Sequence, residues 1–417
     1  MKARKPPKSR PKALHHKSED EKHRFWTHLK SATPVILLIS AATLIATQFG
    51  WLTGLGSSSL DLFLKITEPA APKYVWLIAI TDRDYEKLFK RTSPLNGRVL
   101  ARVIQVTAKG QPSVIGVDVN TSKSKIVFAP ELLKSPASNP GEPAVPWPPI
   151  IWAQNAKQEG DELRPQPVLD GVDPQPLTAL GFFLRDANDR VVRRYRRMIP
   201  TTEGEKASLP WALVKVFCSR EPHAGDPALA DVRKRISDPA SQREEWPLIL
   251  GFSQTRHLNT RVIPAEDLLA QENSPGWVTN SPIKDQIALI GGVFSESADQ
   301  YDTNVGQFFG VELIAQAIEA ELQMKTVRPL NEVFMLLVDI CGGFILVVWR
   351  FFAPAWLGFT LRALAVPLLA VGSSWFVFLS AAHWANFAPV LLGVLLHECY
   401  DHWREYRGLR TRAEGHS

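Results

Sequence analysis

Gln286 to Phe294 reads QIALIGGVF, and Ser113 to Val119 reads SVIGVDV. Both runs are short and rich in β-branched residues, and both stay apolar at consecutive rather than alternate positions. A strand needs that pattern when both faces of its sheet are covered, so both are expected as central strands of a buried sheet. Three more runs extend the reading: VWLIAI at 75–80, VVRRYRRMI at 191–199 and WPLILGF at 246–252. Helical patterns fall between them. Asp82 to Arg91 follows Thr81 as an N-cap, and Gly97 to Lys109 carries Val99, Leu100, Val103 and Ile104 on one face. Leu209 to Cys218 and Val311 to Leu322 repeat the spacing. The alternation predicts an α/β domain over residues 56–328, a mainly parallel sheet with flanking helices.

Two polar stretches interrupt it. Residues 130–176 hold eleven of the thirty-two prolines, and a surface insertion structured only in part is expected there. Residues 220–245 form the second.

On each side of the domain lies an apolar block. After Lys30 no charged side chain appears until Asp61, and the twenty-two residues from Pro34 to Leu55 would reach about 33 Å as a helix. Residues 1–30 carry ten Lys or Arg against three Asp or Glu, a charge of +7 in a chain whose formal total is +6. The positive-inside rule then keeps tail 1–33 in the cytoplasm, sends helix 34–55 across and places the domain outside. With the basic charge in that tail and the rest of the chain near neutral, a nucleic-acid partner is not expected. The second block runs from Val333 to His397 with three ionised positions, Asp339, Arg350 and Arg362. Spans are expected at 333–349, 363–382 and a short 384–396, with one long kinked helix or a re-entrant hairpin over 363–396 as the alternative for the last two, giving about four α-helical transmembrane segments and a cytoplasmic tail at 397–417. Asp339 would lie about 9 Å into its helix, where a carboxylate needs a partner, water or a proton. Arg362 is the nearest candidate partner in sequence.

Familiar catalytic strings are absent. Gly291-Gly292 lacks the third glycine or Lys-Ser/Thr of a nucleotide cradle, and His397 and His402 are five apart where a zinc helix needs four. Pro282 follows Ser281 where a Ser-x-x-K helix should be running. Three cysteines, Cys218, Cys341 and Cys399, exclude a disulfide framework. No metal, cofactor or catalytic group is expected, and the chain reads as a binding protein rather than an enzyme. Two loops at strand ends stand out, because ligands of open parallel sheets collect beyond the carboxyl ends of strands. One follows Asp118; the other is SESADQYDT at 295–303, where Glu296, Asp299 and Asp302 would either bind a cation or amine or cap the helix starting near Phe309. The run Arg190, Arg193, Arg194, Arg196, Arg197 puts like charges on both sides of a strand. Some of them must pair with carboxylates, since a buried unpaired arginine is costly; the others are candidates for an anion or headgroup.

Together these strings resemble the type 2 CHASE family of extracellular sensory domains, found on bacterial adenylate cyclases, histidine kinases and serine/threonine kinases. The resemblance rests on VWLIAITD ending at Asp82, the Val114–Val119 strand with Asp118, and the segment Asp189-Arg190-Val191-Val192-Arg193-Arg194. It continues through ALIGG at 288–292, Asp299, and Gly310-Val311-Glu312-Leu313-Ile314-Ala315. The family's D-G glycine is Arg190 here, its helix histidine is Ile314, and its Trp-Pro-Trp is replaced by Thr92-Ser93-Pro94-Leu95. The resemblance implies a multi-pass protein of the bacterial inner membrane, in contact with membrane lipid, with an extracytoplasmic (periplasmic) sensory domain. Its candidate ligand-binding residues are Asp118, Arg193, Arg194, Asp299, Asp302 and Glu312. Twenty-one residues follow Leu396, where relatives place a cyclase or kinase. The expectation is therefore a sensor that binds a small-molecule or envelope ligand and signals through its helices to a separate cytoplasmic or membrane protein, as a monomer or a homo-oligomer. A non-switching scaffold of an envelope complex is the alternative; an extracytoplasmic enzyme using Asp118, Asp299 and Asp302 is a third.

Overall fold

The computed structural model describes residues 13–49, 51–66, 71–120, 147–160, 162–168, 177–181, 183–186, 189–242, 248–249, 261–352, 368–380, 383–387 and ten positions between 391 and 407. They fall into two compact units, 1–63 with 329–417 and 64–328.

Helix α1 (Ala13–Gln48) takes in much of the expected tail, because no glycine or proline interrupts residues 13–33. Its stretch Phe25–Gln48 is the one helix among the described residues long and apolar enough to cross a membrane. That stretch starts and ends earlier than the expected 34–55. The helix closes when the Trp51 N–H returns to the Ala46 carbonyl at 2.9 Å, a 6→1 closure, and α2 (Thr53–Ile66) starts afresh.

In the domain the strands are β1 (Val75–Thr81), β2 (Val114–Asp118), β3 (Ile150–Gln154), β4 (Ala156–Glu159), β5 (Glu162–Pro165), β6 (Thr178–Leu180), β7 (Leu184–Arg185) and β8 (Val192–Tyr195). They continue with β9 (Met198–Thr201), β10 (Gly204–Ala207), β11 (Leu248–Ile249), β12 (Val262–Pro264), β13 (Ile287–Val293), β14 (Gln300–Thr303) and β15 (Gly306–Phe309). The helices are α3 (Asp82–Lys87), α4 (Gly97–Lys109), α5 (Leu209–Ser219), α6 (Ala230–Ser237), α7 (Pro239–Gln242), α8 (Ala265–Ala270), α9 (Pro275–Asn280) and α10 (Gly310–Leu322). Six strands form one sheet in the order β12-β1-β13-β2-β3-β6, and every pair in it is parallel. The expected α/β architecture is thus present, with QIALIGGVF and SVIGVDV side by side at its centre.

Alternate side chains of these strands feed two layers. Ile78, Ile80, Ile115, Val117, Trp152, Ala288 and Ile290 pack with Leu100, Val103 and Ile104 of α4, Leu268 of α8 and Trp277 of α9. On the other face lie α5 and α10. Two glycines make room there: a Cβ on Gly116 would lie 2.8 Å from Leu213 Cδ1 of α5, and one on Gly291 would run into Val311 of α10. Only a strand without side chains at those points lets the helices lie so close.

Two expectations need correction. The proline-rich stretch is not merely a surface insertion: Ile150–Gln154 is a strand of the central sheet, and Trp152 is almost fully buried. Its prolines flank the run IIWAQ, at Pro148, Pro149, Pro165 and Pro167, and none falls inside it. The run 191–199 is two strands, not one. β8 joins an antiparallel sheet β11-β8-β7, while β9 joins β10-β9-β5-β4, so the chain changes sheets at Arg196–Arg197.

In the other unit, α11 (Glu332–Phe352) packs antiparallel on α1, with Ala32, Ile36 and Val347 in one cluster. Apolar helices Val333–Trp349 and Leu368–Ser380 are shorter than a full span among the described residues. His383–Trp384 is extended, and the Trp384 carbonyl accepts the Leu330 N–H at 2.9 Å. Helix in the expected 384–396 segment therefore starts later, with 391 its earliest described position.

Candidate functional site

The carboxyl ends of β1, β13 and β2 lie side by side, with Val293 opposite Thr81 and Gly291 opposite Asp118. Each end is organised by an aspartate. Asp84 of α3 accepts the Thr81 N–H at 2.9 Å and hydroxyl at 2.7 Å, while Thr81 caps Asp84 in return, a reciprocal capping box. The neighbouring Asp82 accepts the Ser295 N–H at 2.8 Å and hydroxyl at 3.2 Å, tying the end of β1 to the loop after β13. That loop leads through Asp299 into the β14–β15 hairpin and then α10.

Asp299 lies over the start of α10. Its carbonyl accepts the Gly310 N–H at 2.9 Å, and its carboxylate crowds Gly310 so closely that a Cβ there has no space. The Tyr301 hydroxyl and the Gly310 N–H also bond the carboxylate. Asp118, at the end of β2, faces Gly181, where an added Cβ would sit 3.5 Å from Asp118 Oδ1. Burial, and then the Asp299 charge, push the Asp118 carboxyl up to about 8. Asp299 is also raised, by burial, against the opposing bonds from Tyr301 and Gly310 and the charge of Arg185. The Arg185 guanidinium stands 4.9 Å from the Tyr301 ring centre, and Phe183 meets the same ring edge-on at 5.9 Å. A carboxyl that keeps its proton near neutral pH offers a donor as well as acceptors. The group therefore presents both hydrogen-bonding senses, a cation and an aromatic ring at the place where an open parallel sheet has its ligand crevice.

Of the residues expected from sequence, Asp118 and Asp299 come together here; the other four do not join them. Asp302 is exposed on the opposite side of β14 from Tyr301 and accepts only the Gln307 amide at 3.0 Å among the described residues. Glu312 accepts the Phe309 N–H at 2.9 Å, the first-turn capping that the loop aspartates were expected to provide. Arg193 is nearly buried and spent on Asp186 at 2.8 Å and Asp189 at 2.7 Å, which holds the Asp189 carboxyl below its usual range. Arg194 is half-buried on β8 between Leu184 and Ile249. Arg190 adopts φ +59°, the left-handed conformation that glycine takes without strain. Ile314 is buried in the core. Tyr301, Arg185 and Gly181 were not foreseen. Tyr301 alone had a sequence signal, two residues from Asp299 in a segment able to alternate as a strand.

Among the described residues no group of three His, Cys, Asp or Glu is placed to hold a metal ion. In the helical unit, Asp339 is buried on α11, accepts the Thr43 hydroxyl at 3.3 Å and is also bonded by Ser40, both on α1. Its partners are therefore hydroxyls from α1; Arg362 lies outside the described residues. A Cβ on Gly393 would come within 2.8 Å of Asp339 Oδ1.

A family model described as CHASE2 domain matches residues 35–352. No curated protein matches the chain, and no solved structure matches it.

Proposed function

The chain belongs to the CHASE2 domain family, a family of extracytoplasmic sensory domains, and from that premise we propose that it is a membrane-anchored sensor. Its domain 64–328 lies outside the cytoplasmic membrane and takes a small-molecule or envelope ligand in the Asp118–Asp299 crevice. Its helices pass the response to a separate signalling protein, and the chain itself performs no catalysis. The observation that carries this reading is the crevice's place: two carboxyls that burial holds at raised pKa, at the strand ends where a parallel sheet collects ligands. The long apolar α1 and the buried polar Asp339 in the partnering helix support membrane anchoring. Signalling requires two arrangements with different ligand affinity. Affinity capture of the full chain from detergent-solubilised membranes tests the partner: a signalling protein should co-purify and be lost on deletion of residues 330–417. Retention of the same protein by the truncated chain would contradict transmission through the helices.

A further inference from the structure

Helix α10 touches the crevice at one end and the chain's entry into the domain at the other. At its start, Gly310 lies under the Asp299 carboxylate with no space between them. At its far end, one oxygen of Glu319 accepts three successive backbone N–H groups, from Lys73 at 2.9 Å, Tyr74 at 2.7 Å and Val75 at 2.8 Å. These residues lead into β1 and follow α2 in the chain, while Leu322, where α10 ends, precedes α11. Two residues beyond Glu319, the fully buried Glu321 holds Arg197 Nε at 2.7 Å and Nη2 at 2.8 Å, Arg235 Nη1 at 3.0 Å, and the Tyr195 hydroxyl.

Between these ends the helix is buried on nearly every side; of its thirteen residues only Glu312 is not buried. Close-packed interiors do not deform gradually, so a helix gripped all round moves as one body or stays put. Thirteen residues span about 20 Å.

We propose that α10 is the rod through which the crevice acts on the membrane-leading segments, with Glu319 as the positioning residue that grips Lys73–Val75. The proposal rests on the sensor reading for the meaning of the crevice, but its geometry stands without a ligand. A group entering the crevice that displaces Asp299 from Gly310 shifts α10, and Glu319 carries that shift to the backbone entering β1.

Hydrogen–deuterium exchange of the full chain in lipid nanodiscs tests it with substitutions in place of the ligand. Gly310→Ala forces α10 away from Asp299, and Tyr301→Phe removes one bond to Asp299 without adding bulk. Either variant should speed exchange at Lys73–Val75 at least fivefold while the β2 amides keep their rates. In Glu319→Gln the segment should already exchange fast, and adding Tyr301→Phe should change it no further. The proposal is overturned if exchange changes only within residues 299–312, or if β2 accelerates as much as Lys73–Val75, which would be general destabilisation. Should Gly310→Ala fail to fold, Tyr301→Phe alone decides. None of these outcomes depends on a signalling partner, so the rod can fail while the sensor reading stands, and the reverse.

Discussion

Gly310 lies so close beneath the Asp299 carboxylate that residue 310 has no space for a Cβ atom. The flanking Phe309 N–H is already taken by Glu312, so the first turn cannot swing outward without losing its cap. Gly310→Ala is therefore expected to cost about 1–3 kcal/mol of domain stability, the range for overpacking a closed site. Denaturant unfolding checks this, and an unchanged midpoint would mean that Asp299 yields freely.

Glu321 is the buried counter-charge for Arg197 and Arg235, and Arg197 also stands over the Trp211 ring at 4.6 Å. Removing the carboxylate takes the counter-charge from two guanidiniums, although Arg197 keeps the Ser241 carbonyl at 2.9 Å and Arg235 the Thr326 hydroxyl at 3.2 Å. Glu321→Ala is expected to lose about 3–5 kcal/mol, the range for breaking a buried pair from one side. A double exchange of Glu321 and Arg197 for Leu and Met is expected to lose less than Glu321→Ala, as the same unfolding measurement would show.

The pH dependence has a defined sign. The Asp118 carboxyl is raised from the usual 3.8 to about 8 in the folded protein, by burial and then by Asp299. Between those values the folded state keeps a proton that the unfolded state releases, so this group's contribution to stability falls as pH rises through that window. Asp118→Asn is neutral at every pH and removes the fall. The Tm of the variant should gain on the wild type steadily from about pH 5 to pH 8; parallel Tm profiles would show that Asp118 is ionised throughout.

The parallel sheet is legible in the sequence because its central strands are covered on both faces. A short run apolar at every position, as around Leu289 and Val117, fits a doubly covered strand better than an amphipathic helix or a half-exposed strand. Ile150–Gln154 is hidden by its surroundings: prolines on both sides disguise a five-residue run whose partners lie far off in sequence. The arginine run reads as one strand because nothing in VVRRYRRMI marks the switch of sheets at Arg196–Arg197. Asp118 and Asp299 are legible from their places at strand ends. Arg185 is not, since it reaches the crevice through its stacking on Tyr301, and such a contact leaves no trace in spacing. Glu312 and Arg193 have the right charge for ligand binding, but capping and ion pairing use them, and those partners appear only once the chain is folded.

The packing of α11 on α1 carries its own test. A Cβ on Gly343 of α11 would lie 3.6 Å from the Cβ of Ile36 on α1, within disulfide range. The double variant Ile36→Cys and Gly343→Cys, with a protease site introduced into the exposed turn at Thr202–Glu203, should stay one covalent piece after cleavage under oxidising conditions and fall into two on reduction. Two fragments without reductant would contradict the α1–α11 packing.

Sidedness tests the sensor reading most directly. Glu203 sits at the exposed tip between β9 and β10, and a single cysteine there, in a chain with Cys218, Cys341 and Cys399 replaced by serine, reports the domain's compartment. A thiol reagent unable to cross lipid should label it on intact spheroplasts as fully as after lysis. Labelling only after lysis would place residues 64–328 in the cytoplasm and contradict the extracytoplasmic sensor.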